Sequence, residues 1–454
     1  MKNRTNKQDE FFIQNVSPID GRYRQQLNSI RGVFSEYAYI HQRVHVEIEY
    51  LIFLSQNGVI KKLDKSTILK LHSVSSTFSM QDAQKIKSTE KKINHDMKAI
   101  EYFLQEKCKV LQLDSLIPFI HWGITSDDTG NLAYGMALNQ NNNECIIPTL
   151  EILLETLRKL SNTYKKSLFL ARTHGQPAVP TTFGKEIANF YVRLHKQFRL
   201  LKGYEFDGKL MGAVGNLNAH KLFFPSTNWI EKSKLFVLSL GLKPVTHVTQ
   251  ILPYDNWVSY FQILMNINSI IKGLCVDMWT FIMLEEVKLK KKEGEVGSST
   301  MPQKVNPIDF ENAEGNCEIA NTYYQLFERK LLQSRLQRDL SDSVVKRTFG
   351  TAIAHTFLAW ESLRKGLNKI ELDHEIANMH VINHYEVLAE AIQTQLRLKN
   401  DTTGYEKVKK MTRGKKMTKI LYQTIVREFH LEALENLSPD QYVGYSEELT
   451  DPTL

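Results

Sequence analysis

The segment GEVGSSTMPQKVNP, residues 294–307, carries side chains that can hold an anion and transfer a proton. Ser298 and Ser299 supply adjacent hydroxyls, Lys304 supplies a positive charge, and Asn306 before a proline is a typical helix start. Glycines permit the backbone conformations of a loop, and a helix N-terminus favours negative charge. The segment therefore predicts a loop that closes on an anion, in preference to a plain polar connector.

A second segment with such residues is RTHGQPAVP, residues 172–180, which places His174 on a bend immediately before a long predicted helix. Imidazole changes its charge near neutral pH, so histidine suits the donation of a proton to a departing nitrogen. A histidine that stands alone is more often buried and hydrogen-bonded for packing. Because the serine loop is present in the same chain, we interpret His174 as catalytic.

These two segments resemble signature regions of the fumarase/aspartase superfamily, whose members eliminate fumarate from a substituted succinate. The resemblance implies that Ser298 is the base that takes a proton from the carbon next to a carboxylate, with Ser299 as the alternative. It also implies that His174 is the acid. Removal of such a weakly acidic proton builds a doubly charged intermediate, which Lys304, backbone N–H groups and the helix dipole are expected to stabilise away from solvent.

The remaining segments, from SPIDGRY to YEKVKKMTRGKK, resemble the adenylosuccinate lyase branch of this superfamily, in its bacterial form, over nearly the whole chain. The substrate in that branch is a purine-pathway ribonucleotide with a succinylamino group, so a phosphate site is expected beside two carboxylate sites. Arginine presents paired donors that suit phosphate, although a lone arginine is more often a surface charge. The resemblance implies a phosphate cluster of Arg22, Tyr23, Arg338, Ser343 and Arg347.

The same resemblance implies further substrate-binding residues. Asn94, His95 and Asp96 lie at the start of a predicted helix in KKINHDMKAIEYFL, and His95 is assigned to binding, with acid or base chemistry as the alternative. Thr125 and Ser126 in HWGITSDD lie at a helix N-terminus, where hydroxyls can hold a carboxylate and equally well form a plain N-cap. The other expected substrate-binding residues are Gln250, Lys304, Asn306 and Asn312.

Two positions depart from the bacterial pattern of this branch. Gln303 stands where a histidine is expected, and Leu252 stands where an acidic residue is expected. Neither position is assigned a chemical step, so we expect these differences to tune the reaction without changing it.

Two alternative functions compete with this interpretation. Argininosuccinate lyase shares both core segments and commonly has glutamine at the position of Gln303, but its amino-acid substrate has no phosphate for the arginine cluster to bind. A non-catalytic helical structural protein derived from this fold is the other alternative. The joint presence of Ser298, His174 and Lys304 argues against a purely structural function.

Long amphipathic helices have to position these segments. Apolar residues recur at helical spacing after Pro148, after Thr182 and after Pro253, and the third run covers roughly 30 residues, or about 45 Å. Further helices are predicted after Pro307 and near Leu340, and period-2 alternation is rare. The predicted fold class is all-α, a fumarase/aspartase-like fold with an N-terminal helical domain (1–115), a central bundle of long helices (116–365) and a C-terminal helical domain (366–454).

The composition is that of an ordinary globular protein, with 454 residues, 42% hydrophobic and 24% charged, and a net charge of +8. No basic run is long and aromatic enough to predict nucleic-acid binding, and KLKKKE (288–293) is interpreted as the solvated end of a helix. No apolar run reaches membrane-spanning length, and the N-terminal residues contain no signal-like apolar region. We therefore predict a cytoplasmic protein that binds neither nucleic acid nor membrane.

The four cysteines are far apart and lack zinc-site spacing, so we expect reduced thiols, no metal and no cofactor. The long helices carry apolar residues over much of their circumference and cannot all be covered within one chain. We therefore expect a homotetramer with a shared central bundle. The resemblance implies active sites shared between subunits, in which the regions of His174, Ser298 and His95 come from different chains.

Overall fold

The structure is a computed structural model that describes residues 13–290, 294 and 299–451. Its regular elements are mostly α-helices. In chain order, the helices and strands are α1 (Asn28–Phe34), α2 (Glu36–Gln56), α3 (Lys65–Ser76), α4 (Met80–Ile93), α5 (Asp96–Val110), α6 (Ser126–Asn141), α7 (Ile147–Thr163), β1 (Leu168–Thr173), β2 (Gln176–Thr182), α8 (Phe183–Leu201), β3 (Asp207–Gly208), α9 (Asn218–Phe223), α10 (Trp229–Ser239), β4 (Lys243–Pro244), α11 (Asp255–Met283), β5 (Val287–Leu289), α12 (Ile308–Leu331), α13 (Ser341–Lys346), α14 (Phe349–Leu367), β6 (Ile370–Leu372), α15 (His374–Ile382), α16 (Ala389–Leu398), α17 (Gly404–Thr412) and α18 (Lys419–Glu428).

The long helices predicted from apolar spacing are confirmed. Helix α7 begins at Ile147, α8 begins directly after Thr182, and α11 extends over 29 residues. The hydroxyl of Thr182 accepts a hydrogen bond from the N–H of Lys185 at 3.3 Å, which caps the first turn of α8. Helix α12 begins after Pro307, whose carbonyl accepts from the N–H of Glu311 at 3.3 Å. The helix predicted near Leu340 is divided into α13 and α14.

The chain divides into two compact units, and the three-domain division of the sequence stays a prediction. The first unit comprises Met1–Thr149, Arg199–Asn268 and Asn316–Leu358, and the second comprises Leu150–Phe198, Ser269–Gly315 and Ala359–Leu454. Each unit is therefore assembled from three separate stretches of the chain.

Aromatic side chains fill the core of the first unit. The rings of Phe261, Phe327 and Phe349 lie with each pair of centroids 4.9 Å apart. Beside them, the amide of Asn268 donates to Thr356 Oγ1 at 3.0 Å. Aromatic pairs at such distances add to the stabilisation from burial, and a buried amide is tolerated because it has hydrogen-bond partners.

The second unit has its own core. The ring of Phe169 lies 4.8 Å from that of Phe281 and 5.3 Å from that of Phe183, so β1, α8 and α11 pack together. Leu170 faces a different apolar cluster, formed with the C-terminal helices. The buried members of that cluster include Val381, Leu388, Ile392, Leu396, Tyr422, Ile425 and Leu431.

Three small two-stranded sheets accompany the helices in the described part of the chain. Strands β1 and β2 form an antiparallel hairpin, so β2 separates His174 from the helix that was predicted to follow it immediately. The expectation that KLKKKE ends a helix is wrong for its first two residues, because Lys288 and Leu289 lie in β5, which pairs antiparallel with β6 through a backbone ladder. Residues 291–293 of this segment lie outside the described residues. No described helix combines the length and the apolar character needed to cross a membrane.

Candidate active site

His174 lies at the tip of the hairpin formed by β1 and β2. His174 and Gly175 are the two turn residues, with φ of 54° and 73°, and Thr173 pairs with Gln176 on either side of them. Positive φ at both central positions is the signature of a type I′ turn, whose twist matches that of the strands. His174 is exposed at this turn.

The serine loop is described only in part. Ser298, the predicted base, lies outside the described residues, whereas the alternative, Ser299, is exposed. Lys304 and Gln303 are also exposed, and the backbone N–H of Lys304 donates to the carbonyl of Met301 at 3.1 Å. The loop therefore presents its lysine to solvent, where an anionic ligand can meet it.

Two other predicted residues lie near the start of α12. Asn306 is half-buried before the helix, and the amide of Asn312 donates to Ser362 Oγ at 2.9 Å. Leu252, which stands where an acidic residue is expected, has a fully buried side chain. A leucine fits such a position without the ionic partner that a buried carboxylate would need.

A cavity of about 300 Å³ in the first unit brings together seven of the predicted substrate-binding residues. They come from three separate stretches of the chain: the α4–α5 junction, the start of α6, and the segment around α13. The seven residues are Asn94, His95, Asp96, Ser126, Arg338, Ser343 and Arg347.

The junction between α4 and α5 fixes the first of these stretches. Asn94 ends α4 in the left-handed conformation, with φ of 53°, and His95 is the N-cap of α5. The Nδ1 atom of His95 accepts a hydrogen bond from the N–H of Lys98 at 3.1 Å. This bond places the ring proton on Nε2, which makes Nε2 a donor and supports binding over proton abstraction.

Asp96 is held by two arginines at the edge of the cavity. Arg43 Nη1 donates to Asp96 Oδ2 at 2.8 Å, and Arg347 Nη2 lies 3.6 Å from the same oxygen. Burial alone would raise the pKa of Asp96, but the charge and hydrogen bond of Arg43 lower it below its ordinary value. Arg347 also lies 3.1 Å from Glu36, so two carboxylates orient its guanidinium.

A second carboxylate of the cavity, that of Asp127, is buried and orders two cations. Asp127 Oδ1 lies 3.3 Å from both Lys346 Nζ and Arg338 Nη1. Burial opposes ionisation of Asp127, but the charges of Lys346, Lys209 and Arg338 prevail and lower its pKa to about 2. Asp127 is therefore an anion that fixes Lys346 and Arg338 beside the cavity.

Arg338 keeps hydrogen-bonding capacity for a ligand. Its Nη1 atom is buried, yet no acceptor in the described part of the chain meets it in hydrogen-bond geometry, even though Asp127 Oδ1 is 3.3 Å away. A buried guanidinium donor without an acceptor is costly. An incoming anion would remove that cost, because phosphate and carboxylate oxygens accept such bonds.

The N-terminus of α6 is built by Asp128, which is fully buried. Its carboxylate accepts from the N–H of Thr125 at 2.8 Å, from the hydroxyl of Thr125 at 3.2 Å and from Lys209 Nζ at 2.9 Å. Thr125 thus takes the capping arrangement that competes with ligand binding at such a position. Ser126 follows it and lines the cavity.

The other seven predicted substrate-binding residues do not line this cavity, and Arg22, Tyr23 and Gln250 are three of them. The guanidinium of Arg22 sits 5.8 Å from the ring of its neighbour Tyr23, and Arg22 is exposed. The N–H of Gln250 donates to the carbonyl of Gln337 at 3.3 Å, so Gln250 supports the segment that carries Arg338. Their expected contacts with substrate stay predictions.

The sequence analysis missed several charged residues around the site. Three of them line the cavity: Arg43, Asp127 and Lys346. Ion pairs with Arg43 and Asp127 orient the predicted substrate-binding residues Asp96 and Arg338. His121 was also missed, although it belongs to the segment HWGITSDD: its Nδ1 lies 2.7 Å from Glu47 Oε1. Burial would lower the pKa of His121, but Glu47 raises it above its ordinary value. One sequence signal could have indicated these ion pairs, because Arg43 and Glu47 are charged residues within the otherwise apolar run of α2.

The described residues include no group of three or more histidine, cysteine, aspartate or glutamate side chains placed to hold a metal ion. The charged groups of the cavity are instead paired with each other, as the contacts of Asp96 and Asp127 demonstrate. The site is therefore a set of oriented cations and hydrogen-bond donors, which suits an anionic organic ligand.

Two family models match the chain. Residues 21–320 match the model described as Lyase, and residues 334–443 match the model described as Adenylosuccinate lyase C-terminal. The first range contains His174 and Ser298. The second contains Arg338, Ser343 and Arg347, three of the five residues on which the choice against argininosuccinate lyase depended.

Curated relatives agree with these matches. The chain is 39% identical over 445 residues to the adenylosuccinate lyase of Escherichia coli strain K12, covering 96% of this chain and 98% of that one. It is 42% identical over 447 residues to the adenylosuccinate lyase of Dictyostelium discoideum, covering 94% and 96%.

The fold is similar to that of two solved structures. A fumarate lyase from Mesorhizobium sp. BNC1 superposes with a TM-score of 0.77 at 16% identity, covering 93% of this chain and 96% of that one. The 3-carboxy-cis,cis-muconate lactonizing enzyme from Pseudomonas putida gives 0.76 at 16% identity, with coverage of 93% and 95%. The predicted helical fold and the predicted family are both confirmed. The chain belongs to the adenylosuccinate lyase family and is a carbon–nitrogen lyase.

Proposed function

We propose that the protein eliminates fumarate from adenylosuccinate, giving AMP, and from the succinylaminoimidazole carboxamide ribotide, giving the corresponding carboxamide ribotide. The observation that carries the proposal is the cavity of the first unit, where three stretches distant in sequence meet. Its oriented arginines suit a ligand with phosphate and carboxylate groups.

The phosphate is assigned to Arg338, Ser343 and Arg347. Arg338 is favoured because its buried Nη1 has no acceptor in hydrogen-bond geometry among the described residues. Arg347 is half-exposed and can turn from Glu36 toward a dianion. Arg22 and Tyr23 are proposed to complete the phosphate site.

The remaining predicted residues are assigned to the rest of the substrate. Asn94, His95 and Asp96 are proposed to hold it near the reacting centre, with His95 Nε2 as a donor. The carboxylates are assigned to the ammonium of Lys304 and to the hydroxyls and amides of the other predicted residues, which are Thr125, Ser126, Gln250, Asn306 and Asn312.

The chemistry is assigned to Ser298 and His174. Ser298 takes the proton next to the carboxylate, and Lys304 stabilises the doubly charged intermediate that forms. His174 then protonates the leaving nitrogen as the carbon–nitrogen bond breaks. The exposed position of His174 on a two-residue turn supports this role, because a substrate can reach its imidazole.

We infer that the working form is a homotetramer whose active sites are shared between subunits. Long helices of the chain expose apolar side chains, such as Val276 at 44% and Ile319 at 45% of their surface. Exposed apolar side chains on helices of this kind favour burial against other chains. A cytoplasmic location agrees with the four buried cysteines, none of which forms a disulfide.

The test is a spectrophotometric assay of purified protein with adenylosuccinate and, separately, with argininosuccinate. We expect an absorbance change that reports fumarate release from adenylosuccinate only. Ser298→Ala and His174→Ala should abolish turnover while largely preserving substrate affinity, because both groups act mainly in the transition state. If the activity of Ser298→Ala stays within about tenfold of wild type, Ser298 is excluded as the base, because a tenfold loss corresponds to only ~1.4 kcal/mol of activation free energy.

A further inference from the structure

A buried carboxylate lies behind the hairpin that carries His174. Glu286 is fully buried, and its Oε1 atom accepts from Arg172 Nη1 at 2.9 Å and from His380 Nδ1 at 2.8 Å. Arg172 and His380 are 21% and 24% exposed. Arg172 Nη2 also lies 3.4 Å from His380 Nδ1, so the three side chains form one hydrogen-bonded cluster.

Arg172 lies on β1, two residues before His174, where the strand is irregular. The pairing register shifts between Leu170 and Arg172, where one residue of β1 faces two residues of β2, so the extra residue lies in β2. Such a bulge bends the strand that contains it and interrupts the ladder between the two strands. Arg172 Nη1 donates to the carbonyl of Leu170 at 3.3 Å, so the guanidinium holds β1 opposite the bulge as well as contacting Glu286.

The backbone of Glu286 connects two further segments. Its N–H donates to the carbonyl of Phe281 in α11 at 3.0 Å, and its carbonyl accepts from the N–H of Asp373 at 2.8 Å. Asp373 is the N-cap of α15, the helix that carries His380. The backbone of Glu286 is thus held by hydrogen bonds on both sides, so its side chain can hold Arg172 in one place.

We propose that Glu286 is a positioning residue for the reaction: through Arg172, which holds β1 opposite the bulge of β2, it fixes the hairpin turn that presents His174. This inference rests on the proposed function of His174 as the acid. Glu286 itself touches no reacting atom in this proposal. Its effect is to keep the imidazole where the leaving nitrogen arrives, since small displacements of a catalytic group are costly.

The test is Glu286→Gln, which keeps the size of the side chain and removes its charge. The amide oxygen no longer carries a negative charge to pair with the guanidinium of Arg172, so the anchor of the hairpin should weaken. We expect kcat for adenylosuccinate to fall about tenfold to a hundredfold and KM to change less than about twofold. The matched control is Glu285→Gln, at the neighbouring exposed position, which should leave both constants near wild type.

A double-mutant cycle separates positioning of His174 from other effects. If Glu286 acts through His174, adding Glu286→Gln to His174→Ala should cause no further loss of the residual kcat that is measured at high enzyme concentration. Hydrogen exchange gives a readout that does not depend on activity. Backbone amides of residues 168–182 should exchange faster in Glu286→Gln than in Glu285→Gln, while the remaining amides exchange alike.

Each result decides between the proposals. If wild type releases no fumarate, or if His174→Ala remains active, the proposed function fails, while faster exchange of the hairpin still supports the anchoring by Glu286. If His174→Ala is inactive but Glu286→Gln matches its control in kcat and exchange, the positioning inference is overturned. The inference is also overturned if Glu286→Gln lowers kcat by the same factor in the His174→Ala background as in wild type. It is overturned as well if Glu286→Gln changes only KM.

A second variant covers the case in which Glu286→Gln does not fold. His380→Leu removes one donor at a partly exposed position and leaves the ion pair of Arg172 with Glu286 in place. It should give a smaller fall in kcat, with the same faster exchange of the hairpin. Wild-type kcat and wild-type exchange in this variant would contradict the proposal.

Discussion

Arg43 Nη1 donates to Asp96 Oδ2 at 2.8 Å, which ties the middle of α2 to the first residue of α5. Arg43 is only 3% exposed, and its guanidinium carbon lies 4.2 Å from the centre of the Tyr39 ring. Asp96 follows the N-cap His95 directly. One ion pair therefore sets both the position of His95 and the orientation of Arg347 beside the cavity.

Asp96→Asn should destabilise the protein and weaken substrate binding. The amide preserves the shape of the side chain but leaves the buried charge of Arg43 without its counter-ion. Because Asp96 is about a third exposed, we expect a loss of about 1–3 kcal/mol in the free energy of unfolding, measured in urea. KM for adenylosuccinate should rise, since Arg347 loses one of its two carboxylate partners.

Asp114→Asn is the matched control, at an exposed position in the first turn of a 3₁₀ helix. It should change neither the free energy of unfolding nor KM. Equal stability of the Asp96 and Asp114 variants would show that the pair with Arg43 does not order this corner of the cavity.

The long helices could be predicted because their evidence is local. Apolar residues at helical spacing define α7, α8 and α11, and capping side chains such as Thr182 mark a start. The hairpin of β1 and β2 could not. Strand β2 contains Pro177 and Pro180, and proline in a strand argues against that assignment from sequence.

The site could be predicted only where a motif marks it. His95 and Ser126 belong to recognisable segments at helix starts, and the structure places both at one cavity. Arg43 and Asp127 were missed because their importance arises from contacts with residues far along the chain, such as the 3.3 Å approach of Lys346 to Asp127. Such pairs depend on tertiary packing, which no local pattern encodes.

Arg338→Lys should raise KM for adenylosuccinate because a lysine ammonium cannot reproduce the forked contact of a guanidinium with phosphate. The effect should be about tenfold or more, as for loss of one charge-assisted hydrogen bond. On substrate without its phosphate, wild type and variant should have similar KM values. Steady-state kinetics with both substrates measures the difference.

Arg335→Lys provides the control for Arg338. Arg335 lies in the same segment with its side chain 84% exposed, so the same substitution should leave KM unchanged. A penalty in Arg338→Lys that persists undiminished on the dephosphorylated substrate would mean that Arg338 binds another part of the ligand.

His220 should make the protein sensitive to mild acid. Its Nε2 lies 2.7 Å from the hydroxyl of Tyr50, which donates to the carbonyl of Trp122, and burial lowers the pKa of His220 from 6.5 to about 4. Between these values the unfolded chain binds more protons, so stability falls as pH drops. The shift corresponds to about 3 kcal/mol, fully present above pH 6.5.

His220→Gln should remove this pH dependence, because glutamine keeps a donor for Tyr50 but does not titrate. Urea unfolding at several pH values measures it: wild type should lose more stability than the variant between pH 7 and pH 4. His247→Gln, at an exposed position, should behave like wild type. Parallel pH profiles for wild type and His220→Gln would refute the assignment.

Shared active sites predict complementation between inactive variants. In the proposed tetramer the His174 hairpin and the Ser298 loop of one site come from different chains. Mixed assembly of His174→Ala and Ser298→Ala protein, after joint partial denaturation and refolding, should therefore create sites with both wild-type residues. Random mixing allows about a quarter of the sites to recover.

The recovered activity distinguishes shared sites from sites within one chain. If each chain built its own site, every site would lack either His174 or Ser298, and no mixing could restore turnover. Light scattering supplies the mass, and exchange of differently tagged subunits shows that mixing occurred. A monomeric mass, or mixtures as inactive as the separate variants despite proven exchange, would exclude the shared site, because complementation requires two chains to meet around one substrate.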